Sequence, residues 1–193
     1  KEESFFENLL VALARALEYY DSATLKHSEV SAEYALLIAQ RLGLEGQRAK
    51  IVRWASLVHD IGKIFIPQSI LRKPGPLTPE EYELVKLHPL KGEELLRSVR
   101  GLEDVARIVR HHHERFDGLG YPDGLAKEAI PFEARIVAVV DAFEAMTSNR
   151  PYRRAMSIAE AIAELKRCAG TQFDPEVVKV AVAVIGELIL SSF

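Results

Sequence analysis

The sequence predicts an all-α fold, a bundle of helices in outline, on three observations. Apolar residues recur at three- and four-residue spacing along most of the chain. No run alternates apolar and polar residues between turn residues, as a half-buried strand would. Helix-start and helix-stop signals punctuate the periodic runs. A chain of 193 residues fits one domain with its own core. Its 48% hydrophobic and 27% charged content is that of an ordinary globular protein, far from the disordered class.

The elements follow in order. Phe5, Phe6, Leu9, Leu10, Leu13 and Leu17 predict an amphipathic helix over residues 4–20. Residues 1–20 are read as an N-terminal helix that links to an upstream domain, and 21–193 as the main domain. A second helix is expected from about Thr24 to Leu42, stopped by Gly43, and a third from about Glu45 to Ile61, stopped by Gly62. Residues 64–79 are rich in proline and read as loop. Thr78-Pro79-Glu80-Glu81 then supplies an N-cap, a first-turn proline and a capping-box glutamate. That helix should end before Pro89, and another should run from about Pro89 to Val99. Leu102, Val105, Ile108 and Val109 lead into His111-His112-His113 at a helix C-terminus. After a glycine-rich stretch, Phe132 to Met146 reads as a buried helix. Ser157 with Glu160 and Asp174-Pro175 start the last two. The expectation is roughly eight or nine helices and no sheet.

Composition removes several function classes. A formal net charge of -3 argues against binding to a nucleic-acid polymer, which needs many cationic contacts, but leaves room for a small anionic ligand. No stretch approaches the ~20 apolar residues of a membrane helix, and the N-terminal residues lack the basic, apolar, small-residue order of a secretory signal, so a cytoplasmic location is expected. The single Cys168 reads as a small core residue. The chain begins at Lys1, and an upstream sensor or receiver domain is expected.

The chemistry concentrates in the histidines. All six lie in short motifs: His27 in a helix, His59 in His59-Asp60-Ile61-Gly62-Lys63, His88 before Pro89, and His111 to His113. Singly, each reads more readily as a structural or surface histidine than as a ligand, and His111 is kept as one. Together they assemble imidazole and carboxylate donors suited to zinc, iron, manganese or nickel, and a metal pair about 3.5 to 4 Å apart is a clamp for phosphoester hydrolysis. Neighbours on a helix project about 100° apart, so His59 and Asp60 should serve different ions, with Asp60 bridging, and His112 and His113 should divide likewise. Asp141 falls in the apolar run from Ile136 to Phe143, where a carboxylate is costly unless paired or metal-bound.

These motifs resemble the HD-GYP family, a branch of the HD metal-dependent phosphohydrolases. The resemblance covers roughly residues 21–178 and rests on several motifs in order. They are His59-Asp60-Ile61-Gly62-Lys63, His88-Pro89 with Gly92, His112-His113-Glu114-Arg115 through Asp117-Gly118 to Gly120-Tyr121-Pro122, Asp141-Ala142-Phe143 with Ala145-Met146-Thr147-Ser148, and Arg150-Pro151-Tyr152-Arg153. Gly-Tyr-Pro alone is merely a turn; the order and spacing of the set are specific.

The resemblance implies a helical HD fold, a centre of divalent metal ions, usually iron or manganese, and hydrolysis of cyclic di-GMP to pGpG or onward to GMP. It makes His27, His59, Asp60, His88, His112, His113 and Asp141 the metal ligands. Lys63 then faces the scissile phosphate, as a lysine beyond the metal pair could, although a solvated lysine at a helix end reads equally well on its own. Arg150 and Arg153 stand where the family places basic residues near ligand phosphates, and Gly120, Tyr121 and Pro122 in the loop that approaches the substrate or a partner. Arg154 reads equally as a surface charge.

Ala23 replaces a glutamate that in some members holds a third metal, so two ions are expected; Val30 replaces a common arginine and Glu144 a common aspartate. The expected reaction is in-line attack on phosphorus by a metal-generated hydroxide, with Asp60 and Lys63 as the catalytic residues. The rivals are an HD-type phosphohydrolase acting on another nucleotide, a catalytically silent module that binds cyclic di-GMP or a diguanylate cyclase partner, and a helical regulatory module with structural histidines.

Overall fold

A computed structural model describes residues 2–21, 28–149 and 153–190. Ten α-helices lie among them: α1 (Glu2–Tyr20), α2 (Ser28–Arg41), α3 (Gly46–Val58), α4 (Gln68–Leu71), α5 (Pro79–Val85), α6 (His88–Arg97), α7 (Glu103–His111), α8 (Phe132–Thr147), α9 (Ile158–Arg167) and α10 (Pro175–Leu190). Two 3-10 helices, Ile61–Phe65 and Lys127–Ala129, join them. Among the described residues there is no strand beyond the isolated bridge of Ala169 with Phe173, so the all-α expectation holds.

The third helix lies at the centre, packed by α1, α2, α7 and α8, and buries Ala49, Val52, Trp54, Ala55, Leu57 and Val58. From the N-terminal helix, Leu10, Ala14 and Leu17 enter the core, and Phe6 meets Trp54 with ring centroids 6.2 Å apart. The eighth helix buries Ala134, Ile136, Val137, Val139, Val140 and Phe143, and it is packed in turn by α2, α9 and α10.

Local signals placed most boundaries. Gly43 (φ 85°) ends α2 with Leu44 N–H bonded to Ala39 O at 2.9 Å and Gly43 N–H to Gln40 O at 3.0 Å, the pairing of a Schellman stop. The capping boxes of Thr78 with Glu81 and Ser157 with Glu160 are both formed. Asp174 Oδ1 accepts the Glu176 amide at 2.9 Å, while Oδ2 takes Arg135 Nη1 of α8 at 2.8 Å, so one cap also ties α10 to α8.

Three expectations need correction. The third α-helix ends at Val58, not Ile61: His59 is its C-cap, and the chain tightens into the 3-10 helix that carries Gly62 and Lys63. Gly62 is therefore no helix stop. A Cβ there would sit 1.8 Å from His88 O and 2.6 Å from Gly92 N, so glycine is required by the close approach of α6. Residues 64–79 are not all loop, because α4 makes one turn inside them, and the described helices outnumber the eight or nine expected.

Candidate metal centre

Four segments converge at one end of the bundle. The turn after α3 brings His59 and Asp60, the start of α6 brings His88, the end of α7 brings His112 and His113, and the middle of α8 brings Asp141. Donor atoms of Asp60, His88, His112 and His113 all lie within 4.8 Å of one another, as do those of His59, His112 and Asp141. The two sets share His112. His27 and Arg150, together with Ala23, lie outside the described residues.

His59 keeps helical dihedrals (φ -54°, ψ -33°) and the backbone leaves them only at Asp60 (φ -91°, ψ 2°), so the two neighbouring side chains point in different directions. Asp60 faces two ways: Oδ1 lies 3.3 Å from His88 Nε2, and Oδ2 lies 3.6 Å from His59 Nε2 and 2.9 Å from Lys63 Nζ. Asp141 Oδ1 is 3.3 Å from His59 Nε2, and His88 Nε2 is 3.3 Å from His112 Nε2.

The imidazoles are held in one tautomer. Nδ1 of His59, His88 and His112 meets the carbonyl oxygen three residues earlier, Ser56 at 2.8 Å, Val85 at 2.7 Å and Val109 at 2.6 Å. A carbonyl only accepts, so each Nδ1 carries a proton, and each Nε2 is turned toward the cluster. Such outer hydrogen bonds are the usual support of metal-binding histidines. His113 has no such carbonyl among the described residues; the ring of Tyr121 stacks on it instead, with centroids 5.0 Å apart and planes 21° apart.

Electrostatics suit a cation. Burial, with His113, His59 and His88 nearby, holds His112 well below the ordinary imidazole value, and burial brings His113 down to about 4, so both present lone pairs. Burial alone would raise Asp60 and Asp141, yet the surrounding cationic groups hold both carboxyls below the ordinary range. His59 is driven the other way: burial opposes its charge, but Asp60 and Asp141 raise it to about 10. The neutral imidazoles of His112 and His113 and the ionised carboxylates of Asp60 and Asp141 are a donor set that fits divalent metal, which His59 would join by giving up its Nε2 proton when the cation binds.

Lys63 lies mostly buried beside this set. Burial disfavours its charge, but Asp60 and Asp21 together keep it above its ordinary value; Asp21 Oδ2 lies 3.5 Å from Nζ. Arg153 donates to Ala145 O and lines a 310 Å³ cavity with His112, His113, Asp141 and Met156. Gly120 and Tyr121 fold back over the His112–His113 turn, with Tyr121 N–H bonded to His113 O at 3.2 Å. His111 stays apart from the cluster, 3.5 Å from both Glu114 and Asp123.

Sequence reasoning assigned no role to three residues that shape this region. Asp21 pairs with Lys63, the buried Glu114 accepts two loop amides, and Glu144 accepts from Ser31 Oγ at 2.8 Å. For Glu114 a signal existed, an acidic residue directly after two histidines and before a loop; Asp21 offered none.

The comparisons with known proteins agree with this arrangement. The HD domain family model matches residues 12–177. The chain is 48% identical over 171 residues to the cyclic di-GMP phosphodiesterase response regulator RpfG of Xanthomonas campestris, covering 88% of this chain and 45% of that one. It is 41% identical over 179 residues to a cyclic di-GMP phosphodiesterase of Thermotoga maritima, covering 92% and 49%. It thus spans about half the length of the curated relatives it matches. The crystal structure of a cyclic GMP-AMP specific phosphodiesterase of Vibrio cholerae superposes with a TM-score of 0.73 over 92% of this chain and 48% of that one, at 20% identity, a likeness of fold. By its matched length, its identity to these relatives and its motifs, the chain belongs to the HD-domain family, in the HD-GYP branch.

Proposed function

We propose that the chain is a metal-dependent phosphodiesterase that hydrolyses cyclic di-GMP to pGpG or GMP. The observation that carries this reading is the pair of overlapping donor sets that share His112 and flank Asp60, with the cation of Lys63 alongside. The relatives named as cyclic di-GMP phosphodiesterases support the substrate. His59, His112 and Asp141 would hold one ion and His88 and His113 the other, with Asp60 between them and His27 completing the set. Two ions, iron or manganese, match donors of this kind. When bound, they supply an activated water and offset the charge of the phosphate oxygens.

The chain's own groups do the rest. Asp60 holds Lys63 against the centre, so that a phosphate oxygen brought to the metals meets a fixed positive charge. Arg153 lines the cavity beside His112, His113 and Asp141, and with Arg150 offers planar donors to the second phosphate. The ring of Tyr121 and the backbone of Gly120 border the centre on the His113 side, and with Pro122 they would contact the substrate there. An upstream sensor or receiver domain, a diguanylate cyclase partner and a cytoplasmic location belong to the same reading.

The test is anaerobic incubation of iron- or manganese-loaded protein with cyclic di-GMP, other cyclic dinucleotides and phosphomonoesters, with products followed by chromatography and metal content measured on the same sample. The expected result is pGpG or GMP with about two ions per chain. Replacing His59 and Asp60 together by alanine should remove metal loading and turnover; normal hydrolysis by that variant overturns the reading.

A further inference from the structure

The side chain of Glu114 is fully enclosed, yet among the described residues its carboxylate makes no hydrogen bond or ion pair to a member of the two donor sets around Asp60 and Asp141. Its Oε1 accepts the Asp123 amide at 2.8 Å and its Oε2 the Leu125 amide at 3.0 Å. These bonds pin the returning limb of the loop that leaves the His112–His113 turn. The outgoing limb is pinned elsewhere, by the Phe116 and Asp117 amides on Gln172 O at 3.1 Å and Thr171 O at 2.8 Å. Glu114, His111 and Asp123 could be mistaken for a metal site. Both Glu114 oxygens are already taken by amides, however, and both Asp123 oxygens bind Arg110 at 2.8 Å.

Pinning both limbs presses the tip of the loop against the turn it came from. A Cβ on Gly120 would lie 2.4 Å from Arg115 N and 2.5 Å from His113 O, so the backbones meet with no room for a side chain. The next residue, Tyr121, bonds His113 O and lays its ring on the His113 imidazole. Among the described residues, His113 is the imidazole of the cluster without a backbone carbonyl to fix its plane, and the stacked ring supplies that restraint.

We infer that Glu114 is a positioning residue for the metal centre: it clamps loop 115–125 so that Tyr121 orients His113. The inference rests on the reading of His113 as a metal ligand. The loop takes the place of the hydrogen bonds that orient His59, His88 and His112, and losing such outer support typically weakens metal binding about 10- to 100-fold.

The test is calorimetric titration of manganese alone into the metal-free protein and its variants, with thermal unfolding to check the fold. Glu114→Gln keeps the size of the side chain but removes an acceptor, and Tyr121→Ala leaves the clamp intact while removing the ring. Each should weaken manganese binding roughly tenfold or more, Tyr121→Phe should stay within about twofold of the parent, and the double variant Glu114→Gln/Tyr121→Ala should be no weaker than the worse single one, because both act through one contact. Parent-like affinity in Tyr121→Ala or Glu114→Gln, or losses that multiply in the double variant, overturns the inference. Failure of the parent itself to bind manganese instead overturns the metal-centre reading and the inference with it.

Discussion

Charge at this centre is set residue by residue, and Glu144 shows how. It stands one turn beyond Asp141 on α8, with Ser31 of α2 donating to it at 2.8 Å. Burial is the largest influence on it and raises its carboxyl above the ordinary value, with Asp141 and Asp60 adding to the effect; His59 and the Ser31 bond only partly oppose this. A raised folded-state value means that the contribution of this group to stability is fully present below the unfolded carboxyl value and is lost as pH rises through the folded one. Glu144→Gln, which keeps an acceptor for Ser31 and removes the charge, should therefore unfold at a higher temperature than the parent near neutral pH. The difference should close below about pH 4, where both side chains are neutral. Thermal unfolding of the metal-free proteins across that range checks it; a difference independent of pH would contradict the assignment.

At the scale of elements, the site depends on how closely α6 approaches the turn after α3. Gly62 lies against the His88 carbonyl and the Gly92 amide, and a Cβ on Gly92 would itself lie 2.8 Å from Val109 Cγ1 of α7. Three segments that carry metal-binding candidates thus meet at two glycines. In Gly62→Ala the clash is with backbone, which cannot rotate away as a long side chain could. The expected cost is about 3 kcal/mol or more, at the upper end of overpacking effects. Displacing His88 from Asp60 should also lower metal content. Chemical denaturation and metal analysis of the purified variant measure both effects; parent stability would show that α6 can move without penalty.

For the whole molecule, the cluster joins segments from α3, α6, α7 and α8 that are far apart in the chain, so a cation held there links four parts of the fold. Ligands that bind only the folded state stabilise it by mass action, about 2.7 kcal/mol at a hundredfold excess over the dissociation constant. For a domain of this size each kcal/mol moves the midpoint by about 2–4 °C. Chelation should therefore lower Tm by about 5–10 °C, and manganese should restore it. The apolar core around α3 does not depend on the ion, so the chelated protein should retain its helical circular dichroism at 25 °C. An unchanged Tm on chelation would mean that the cluster holds no cation tightly.

The sequence by itself determined the helices whose ends are written in adjacent residues. Capping at Thr78 and Ser157, the Asp174-Pro175 start and the Gly43 stop are satisfied within a few positions of chain, and helical periodicity needs only the helix itself to be read. It also supplied the histidines and aspartates that converge, because their motifs are short. What only the tertiary structure decided is whatever depends on a partner distant in sequence. Gly62 looked like a helix stop, but its role is set by α6 passing against it. Lys63 read equally as a phosphate-facing cation and as a solvated lysine at a helix end, and packing sets it, mostly buried, against Asp21 and Asp60. Glu114 stood inside a recognised motif without a role, because the amides that it accepts become its neighbours only once the loop has folded back over His113. Local geometry is fixed by steric and hydrogen-bond choices along the chain, whereas a buried charge is satisfied by whichever donor the packing of helices brings within about 3 Å, and no window of sequence contains that donor.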